Sequence, residues 1–159
     1  MKAFYFKHLL SFHNPSGTSR GILKQKESWF IVIVQGNKTG IGECSLIEGL
    51  SPDPVKSYEQ ILKTVCENIS DGFENLSLKL NSFPSILFGL ETAFRSFESH
   101  DPLLLFPSAF TKNNDSIAIN GLIWMGEKNF MISQIKEKIN AGFDCIKIKI
   151  GSLDFKTEL

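Results

Sequence analysis

The sequence is poor in the residues that build metal centres and disulfide frameworks. It has 3 cysteines and 3 histidines in 159 residues, and the cysteines lie far apart with no C-x-x-C pair. An odd number of separated cysteines is typical of free thiols in a reducing compartment, and it argues against a structural zinc site. We therefore expect a cytoplasmic protein without disulfide bonds.

Long apolar runs and a charge excess are also missing. The longest apolar run is "WFIVIV", Trp29 to Val34, whereas a membrane-spanning helix needs about 20 such residues. The N-terminus lacks the apolar core and cleavage site of a signal peptide. Lys plus Arg equals Asp plus Glu at 17 each, so the basic footprint of a nucleic-acid-binding protein is missing. We expect neither a membrane nor a nucleic-acid partner.

The first part of the chain predicts an antiparallel meander. "KAFYFKHLLSF" and "ILKQKESWFIVIVQ" are rich in aromatic and β-branched residues, which favour strands. "HNPSGTSRG" between them predicts a polar loop. "GNK" is typical of a hairpin turn, and "TGIGECS" then forms the return strand.

Two helices are predicted to cover this sheet. The first begins near Pro52 and Pro54, ends near Gly72, and has an apolar stripe at three- and four-residue spacing: Val55, Tyr58, Leu62, Val65 and Ile69. The second has Pro84 in its first turn and a more apolar stripe: Phe83, Leu87, Leu90, Phe94 and Phe97. Sheet and helices together predict an α+β domain over residues 1–108.

The pattern changes after the polar stretch "TKNNDS". "IAINGLIWM" predicts a strand, "EKNFMISQIKEKINAGF" a helix that ends near Gly142, and "CIKIKIG" a second strand. Such a β-α-β unit normally has parallel strands and a right-handed crossover. The sequence stops at "GSLDFKTEL", in the pattern of a next helix. We therefore expect residues 109–159 to begin a (β/α) TIM-type barrel that this chain leaves incomplete, as the N-terminal piece of a longer protein.

The stretch "DCIKIKIGS" carries the chemistry. Alternating isoleucine and lysine by itself is typical of an amphipathic or edge strand with its lysines in water. In a barrel, the isoleucines would pack on helices, and Lys147 and Lys149 would point inward at the end of the strand where active sites lie. One lysine can then move a proton to or from carbon, while the other offsets the charge of an enolate.

A small α+β domain that leads into a barrel, with Lys-x-Lys closing the second barrel strand, resembles the enolase superfamily, muconate-lactonizing subgroup. Within it, the stretches "PSGTSRG", "SWFIVI", "GIGECSLIEGLSPD", "INGLIWMG" and "GFDCIKIKIG" are most similar to the o-succinylbenzoate synthase family of menaquinone biosynthesis. The resemblance runs from the N-terminus to the last residue.

The resemblance implies a lyase. The family dehydrates 2-succinyl-6-hydroxy-2,4-cyclohexadiene-1-carboxylate to o-succinylbenzoate by lysine proton abstraction and a metal-stabilised enediolate, usually with Mg²⁺. By motif position, Lys149 would be the acid/base and Lys147 the auxiliary cation beside carboxylate and metal. The family's acidic metal ligands and a second lysine lie on later strands, so we expect them beyond Leu159. We expect this chain alone to be inactive.

The resemblance also implies two loops that cap the barrel mouth. In "SGTSRG", Ser19 and Arg20 would approach the substrate, Arg20 by pairing with a carboxylate; the alternative is a solvated glycine-rich loop. In "GECSLIEGL", Leu46 and Leu50 would shield the reaction from water; the alternative is that both belong to the core. Asn120, near the end of the first barrel strand, is also expected to face the substrate, although strand ends often carry polar residues without function.

Two other functions stay open. A dipeptide epimerase or N-acylamino acid racemase of the same superfamily would use Lys149 on one face of the substrate carbon and a later lysine on the other. A non-catalytic α+β binding module would leave both lysines exposed. The lysine pair does not separate the first alternative from the synthase, because both reactions begin by removing a proton next to a carboxylate.

Overall fold

A computed structural model of the chain describes residues 1–18, 21–151 and 154–158. The chain divides into two compact units. The first comprises Met1–Ser11 and Gln25–Lys112, and the second comprises Phe12–Lys24 and Asn113–Leu159. Residues 12–18, at the end of the first strand, and residues 21–24, at the start of the second, are thus grouped with the second unit. The strand pattern of the sequence does not reveal this grouping.

The first sheet has three strands in the order β1-β2-β3: β1 Lys2–Thr18, β2 Gly21–Gln35 and β3 Lys38–Ser45. β2 and β3 pair antiparallel through the turn at Gly36, whose φ of 61° suits glycine. The predicted meander is confirmed.

The predicted loop "HNPSGTSRG" is wrong for most of its length, because β1 continues through Thr18 and β2 resumes at Gly21. Pro15 is compatible with β1 because this strand lies at the edge of the sheet, where the backbone N–H groups on one side have no neighbouring strand to bond.

Three α-helices follow: α1 Tyr58–Glu67, α2 Gly72–Ser77 and α3 Pro84–Glu98. Short 3₁₀ turns at Val55–Ser57 and Ile69–Asp71 flank α1. Pro84 opens α3, as predicted. Gly72 was expected to end a long first helix, but it begins α2 instead. Its φ of 80° stops the preceding helical run and redirects the chain into a new one.

Close contact between α3 and β3 builds the core of the first unit. A Cβ added to Gly42 would overlap the carbonyl oxygen of Gly89, and one added to Gly89 would overlap the Sγ of Cys44. Only hydrogens at these positions let the two backbones approach so closely. Ile31, Ile33 and Leu90 are fully buried in the same cluster.

The second unit contains β4 Gly121–Ile123, α4 Lys128–Asn140, β5 Ile146–Ile148 and the short helix α5 Phe155–Glu158. β4 and β5 pair in parallel, which confirms the predicted β-α-β unit. The fold class is therefore an α+β domain followed by the first β-α-β unit of a barrel. Across the described ranges, no helix has the length and apolar character needed to cross a membrane.

The glycine contact gives a stability prediction. Gly89→Ala should lower the free energy of unfolding by about 1–3 kcal/mol, because the new methyl group collides with Cys44. Helix propensity alone would raise it by about 1 kcal/mol, so the sign is diagnostic. Urea denaturation measures the size and the sign of the change in the free energy of unfolding. Phe88→Ala, at an exposed position of the same helix, is the control, and a stabilised Gly89→Ala protein would contradict the close contact.

Candidate active site

The two lysines of the β5 region lie on the sheet face opposite α4. Gly121 faces α4, since a Cβ built on it would come within 3.0 Å of the Lys138 side chain. Leu122, next in sequence, points to the other face and pairs with Lys147 across the sheet. Because Lys149 follows Lys147 by two residues, it shares that face. Both lysines therefore lie on the face that would line the interior of a barrel.

Lys149 lies at the C-terminal end of both parallel strands. Its backbone N–H donates to the carbonyl oxygen of Ile123 at 3.2 Å. Its side-chain nitrogen lies over the ring of Trp124, 3.7 Å from the ring centroid. Lys149 is partly buried, whereas Lys147 is exposed. The structure thus gives the two lysines different environments.

Trp124 is held at this edge by a side chain of α4. Its backbone N–H donates to Oε1 of Gln134 at 3.0 Å, and Nε2 of Gln134 donates to its carbonyl oxygen at 3.1 Å. Sequence reasoning missed both residues as parts of the site. The available signal was a tryptophan directly after a strand, and one such aromatic residue does not indicate a lysine contact.

The structure describes two of the four residues predicted on the capping loops. Leu46 is buried in the core of the first unit with Tyr58 and Leu62, which favours the alternative that it is a core residue. Leu50 is 43% exposed. Ser19 and Arg20 lie outside the described residues, so their roles stay predictions.

The predicted contact of Asn120 with the substrate stays a prediction, but its position along the strand differs from the expected one. β4 begins at Gly121, directly after Asn120, whereas Lys149 lies at the far end of the strand pair. The expectation that Asn120 sits near the strand's end is wrong, because the strand that forms is shorter and starts later than "IAINGLIWM" suggests. Asn120 is exposed.

Glu43, in the stretch "GECS", belongs to a polar cluster within the first unit. Ser28 Oγ donates to Glu43 Oε1 at 2.8 Å, and Lys26 Nζ donates to the same oxygen at 3.2 Å. The hydrogen bond from Ser28 lowers the pKa of Glu43 below its ordinary value, and Lys26 adds to the effect against some desolvation. These contacts therefore join Glu43 to residues of its own sheet.

This cluster predicts a pH dependence. A lowered pKa means that Glu43 stabilises the fold above its unfolded value near 4.5 and loses that contribution as pH falls through its folded value. Ser28→Ala should raise the pKa of Glu43, read by carboxyl ¹³C NMR titration. Ser45→Ala removes a weaker hydrogen bond to the same carboxylate and should raise it less. A larger effect from Ser45→Ala would contradict this ranking.

Asp53, at the end of the stretch "GECSLIEGLSPD", is a buried residue that joins this loop to α3. It is 5% exposed, and its Oδ1 accepts from the Ser85 backbone N–H at 3.0 Å and from Ser85 Oγ at 2.7 Å. The hydroxyls of Ser85 and Tyr58 are 2.6 Å apart. Asp53 thus satisfies a first-turn donor of α3, as a capping residue would.

Loss of this cap should be measurable. Asp53→Ala should lower the free energy of unfolding by about 1–2 kcal/mol. Asp53→Asn keeps one carbonyl oxygen as an acceptor and should cost less. Chemical denaturation compares the two, and equal losses would show that the hydrogen bonds to Ser85 do not carry the effect.

The described part of the chain brings together no group of three or more histidine, cysteine, aspartate or glutamate side chains that could hold a metal ion. None of the described residues is therefore assigned as a metal ligand.

The chain is similar to known proteins over nearly its whole length. No family model matches the chain. An o-succinylbenzoate synthase from Desulfotalea psychrophila is 33% identical over an alignment that covers 99% of this chain and 51% of the relative. The crystal structure of MenC from Desulfotalea psychrophila superposes with a TM-score of 0.73 at 26% identity, covering 94% of this chain and 49% of that one.

The chain belongs to the enolase superfamily. It spans about half the length of the curated relative it matches. Other enolase-superfamily enzymes share its fold: a dipeptide epimerase from Enterococcus faecalis, complexed with Mg and the dipeptide L-Leu-L-Tyr, has a TM-score of 0.67 at 15% identity and covers 95% of this chain and 45% of that one. At that identity the likeness establishes the fold and not the reaction.

Proposed function

We propose that the complete protein containing this chain is an o-succinylbenzoate synthase, a lyase that dehydrates 2-succinyl-6-hydroxy-2,4-cyclohexadiene-1-carboxylate. The observation that carries the proposal is the pair of lysines at the C-terminal end of β5, on the face opposite α4. The similarity to the Desulfotalea psychrophila synthase selects the reaction. The proposal implies a small carboxylate substrate and a cytoplasmic site of action.

Lys149 takes the proton in this proposal. Its neutral Nζ removes the hydrogen from the ring carbon that bears the carboxylate, and the electron pair of that C–H bond passes towards the carboxylate. The bond from the neighbouring carbon to its hydroxyl group then breaks, and the ring becomes aromatic. The proton on Lys149 passes to the departing hydroxide, so that the products are o-succinylbenzoate and water.

Lys147 supplies positive charge. It lies two residues before Lys149 on the same face, roughly 6.5 Å away along a strand. A cation at that distance can offset the negative charge that builds on the carboxylate when the proton leaves. Its greater exposure in this chain suits a role that requires it to stay charged.

Mg²⁺ is the proposed cofactor of the complete protein, since an epimerase of the same fold is complexed with Mg. Such an ion would offset charge on the substrate carboxylate. The described residues bring together no ligand set for it, so no step above is assigned to the ion.

A dipeptide epimerase is the second candidate. The observation in its favour is the shared fold of the Enterococcus faecalis enzyme. Lys149 would then exchange the α-proton of a dipeptide, with a further base acting on the opposite face. Assays of the full-length gene product for dehydration and for epimerisation separate the two, and epimerisation without dehydration would overturn the synthase proposal.

The lysine roles give a kinetic prediction. In the full-length gene product, Lys149→Ala should lower the kcat of dehydration by about 100-fold or more, because general acid–base catalysis typically contributes that much. Lys149→Arg should fail similarly, since arginine keeps the charge but does not accept a proton. Lys128→Ala, at an exposed position on α4, is the control. Absorbance of the aromatic product follows the rate, and an unaltered rate in Lys149→Ala would contradict the assignment.

A further inference from the structure

We propose that Trp124 is a positioning residue for Lys149: its indole face fixes the side-chain nitrogen and stabilises the ammonium that forms when Lys149 takes its proton. The inference rests on the proposed function, because it gives a role to the base of that reaction. It adds a residue that the lysine motif does not contain.

The contact is close. Nζ of Lys149 lies 3.7 Å from the centroid of the Trp124 ring. Elsewhere in the described ranges, cations lie over aromatic rings at 5.0–5.9 Å. Tryptophan has the strongest attraction for a cation among the aromatic side chains. The shortest of these contacts therefore joins the best aromatic partner to the lysine that the motif marks as the acid/base.

The backbone that carries the ring is also held in place. Gln134 accepts from the backbone N–H of Trp124 at 3.0 Å and donates to its carbonyl oxygen at 3.1 Å. The backbone of Lys149 is tied to the same strand end through Ile123. With both backbones fixed, the indole restricts the four-carbon stem of the lysine, and less freedom is left to lose when the substrate binds.

The charge on Lys149 changes during the reaction, and this decides which kinetic constant responds. In the proposed step the amine that accepts the proton carries no charge, and an uncharged amine gains little from the ring. As the C–H bond breaks, Nζ becomes an ammonium beside the negative face of the indole. An interaction that strengthens towards the transition state raises kcat and leaves substrate binding largely unchanged.

The kinetic test uses the full-length gene product. Trp124→Leu keeps apolar bulk but removes the ring, and it should lower the kcat of dehydration by roughly fivefold to tenfold, with KM changed less than about twofold. Trp124→Phe and Trp124→Tyr keep a ring face and should recover part of the loss. Phe143→Leu is the matched control, because it removes the ring beneath Lys138, 5.8 Å from its Nζ, where no catalytic role is assigned. Circular dichroism checks that each variant is folded.

A spectroscopic test does not depend on turnover. Reductive methylation with ¹³C-formaldehyde labels lysine amines and keeps their charge. The methyl signal of Lys149, identified by its loss in Lys149→Arg, should be shifted upfield by the ring current of Trp124 and should return to the position of solvated lysines in Trp124→Leu.

These outcomes separate the two proposals. An upfield signal that moves in Trp124→Leu, together with the fall in kcat, supports the inference. An unshifted signal in the unsubstituted protein overturns the contact, and a shifted signal with full activity in Trp124→Leu overturns the positioning role. A shifted signal in a protein that does not dehydrate the substrate overturns the proposed function, and the catalytic part of the inference falls with it.

Discussion

Parallel pairing of two three-residue strands is the constraint on which the candidate site depends. β4 and β5 run in the same direction, so that their C-terminal ends lie side by side. The pairing ends with the hydrogen bond from the backbone N–H of Lys149 to the carbonyl oxygen of Ile123. Trp124 follows Ile123 directly in the sequence. An antiparallel pair would separate these residues by the length of the strands. The meeting of lysine and indole is thus a consequence of strand direction.

The first unit depends on a different constraint, the approach of α3 to β3. Glycine at positions 42 and 89 removes the side chains that would hold the two backbones apart. Asp53 then joins the loop after β3 to the first turn of α3. The consequence for Leu46 is direct: a residue at the start of this loop is drawn into the core and is not left at a loop tip.

Much of this fold follows from local pattern, and the failures have physical causes. Strand-favouring residues predict β2, and the "GNK" turn signal predicts β3 after it. Alternation predicts the lysine strand, because side chains on a strand point to opposite faces. Gly72 misleads because a left-handed residue can begin one helix as well as end another. Asn120 misleads because pairing, and not strand propensity, decides where β4 begins. Trp124 and Gln134 are missed because their contacts join residues far apart along the chain, which single-sequence periodicity does not report.

The overall fold is shared with a dipeptide epimerase, so the fold alone does not decide the reaction, which depends on what meets the lysine face. The most direct measurement is a crystal structure of the full-length gene product with o-succinylbenzoate bound. The account predicts that Nζ of Lys149 lies within about 4 Å of the ring carbon that bears the carboxylate, near the distance of reacting atoms in a near-attack geometry, with Lys147 beside that carboxylate. A product bound elsewhere, or lysines turned away from it into solvent, would contradict the account.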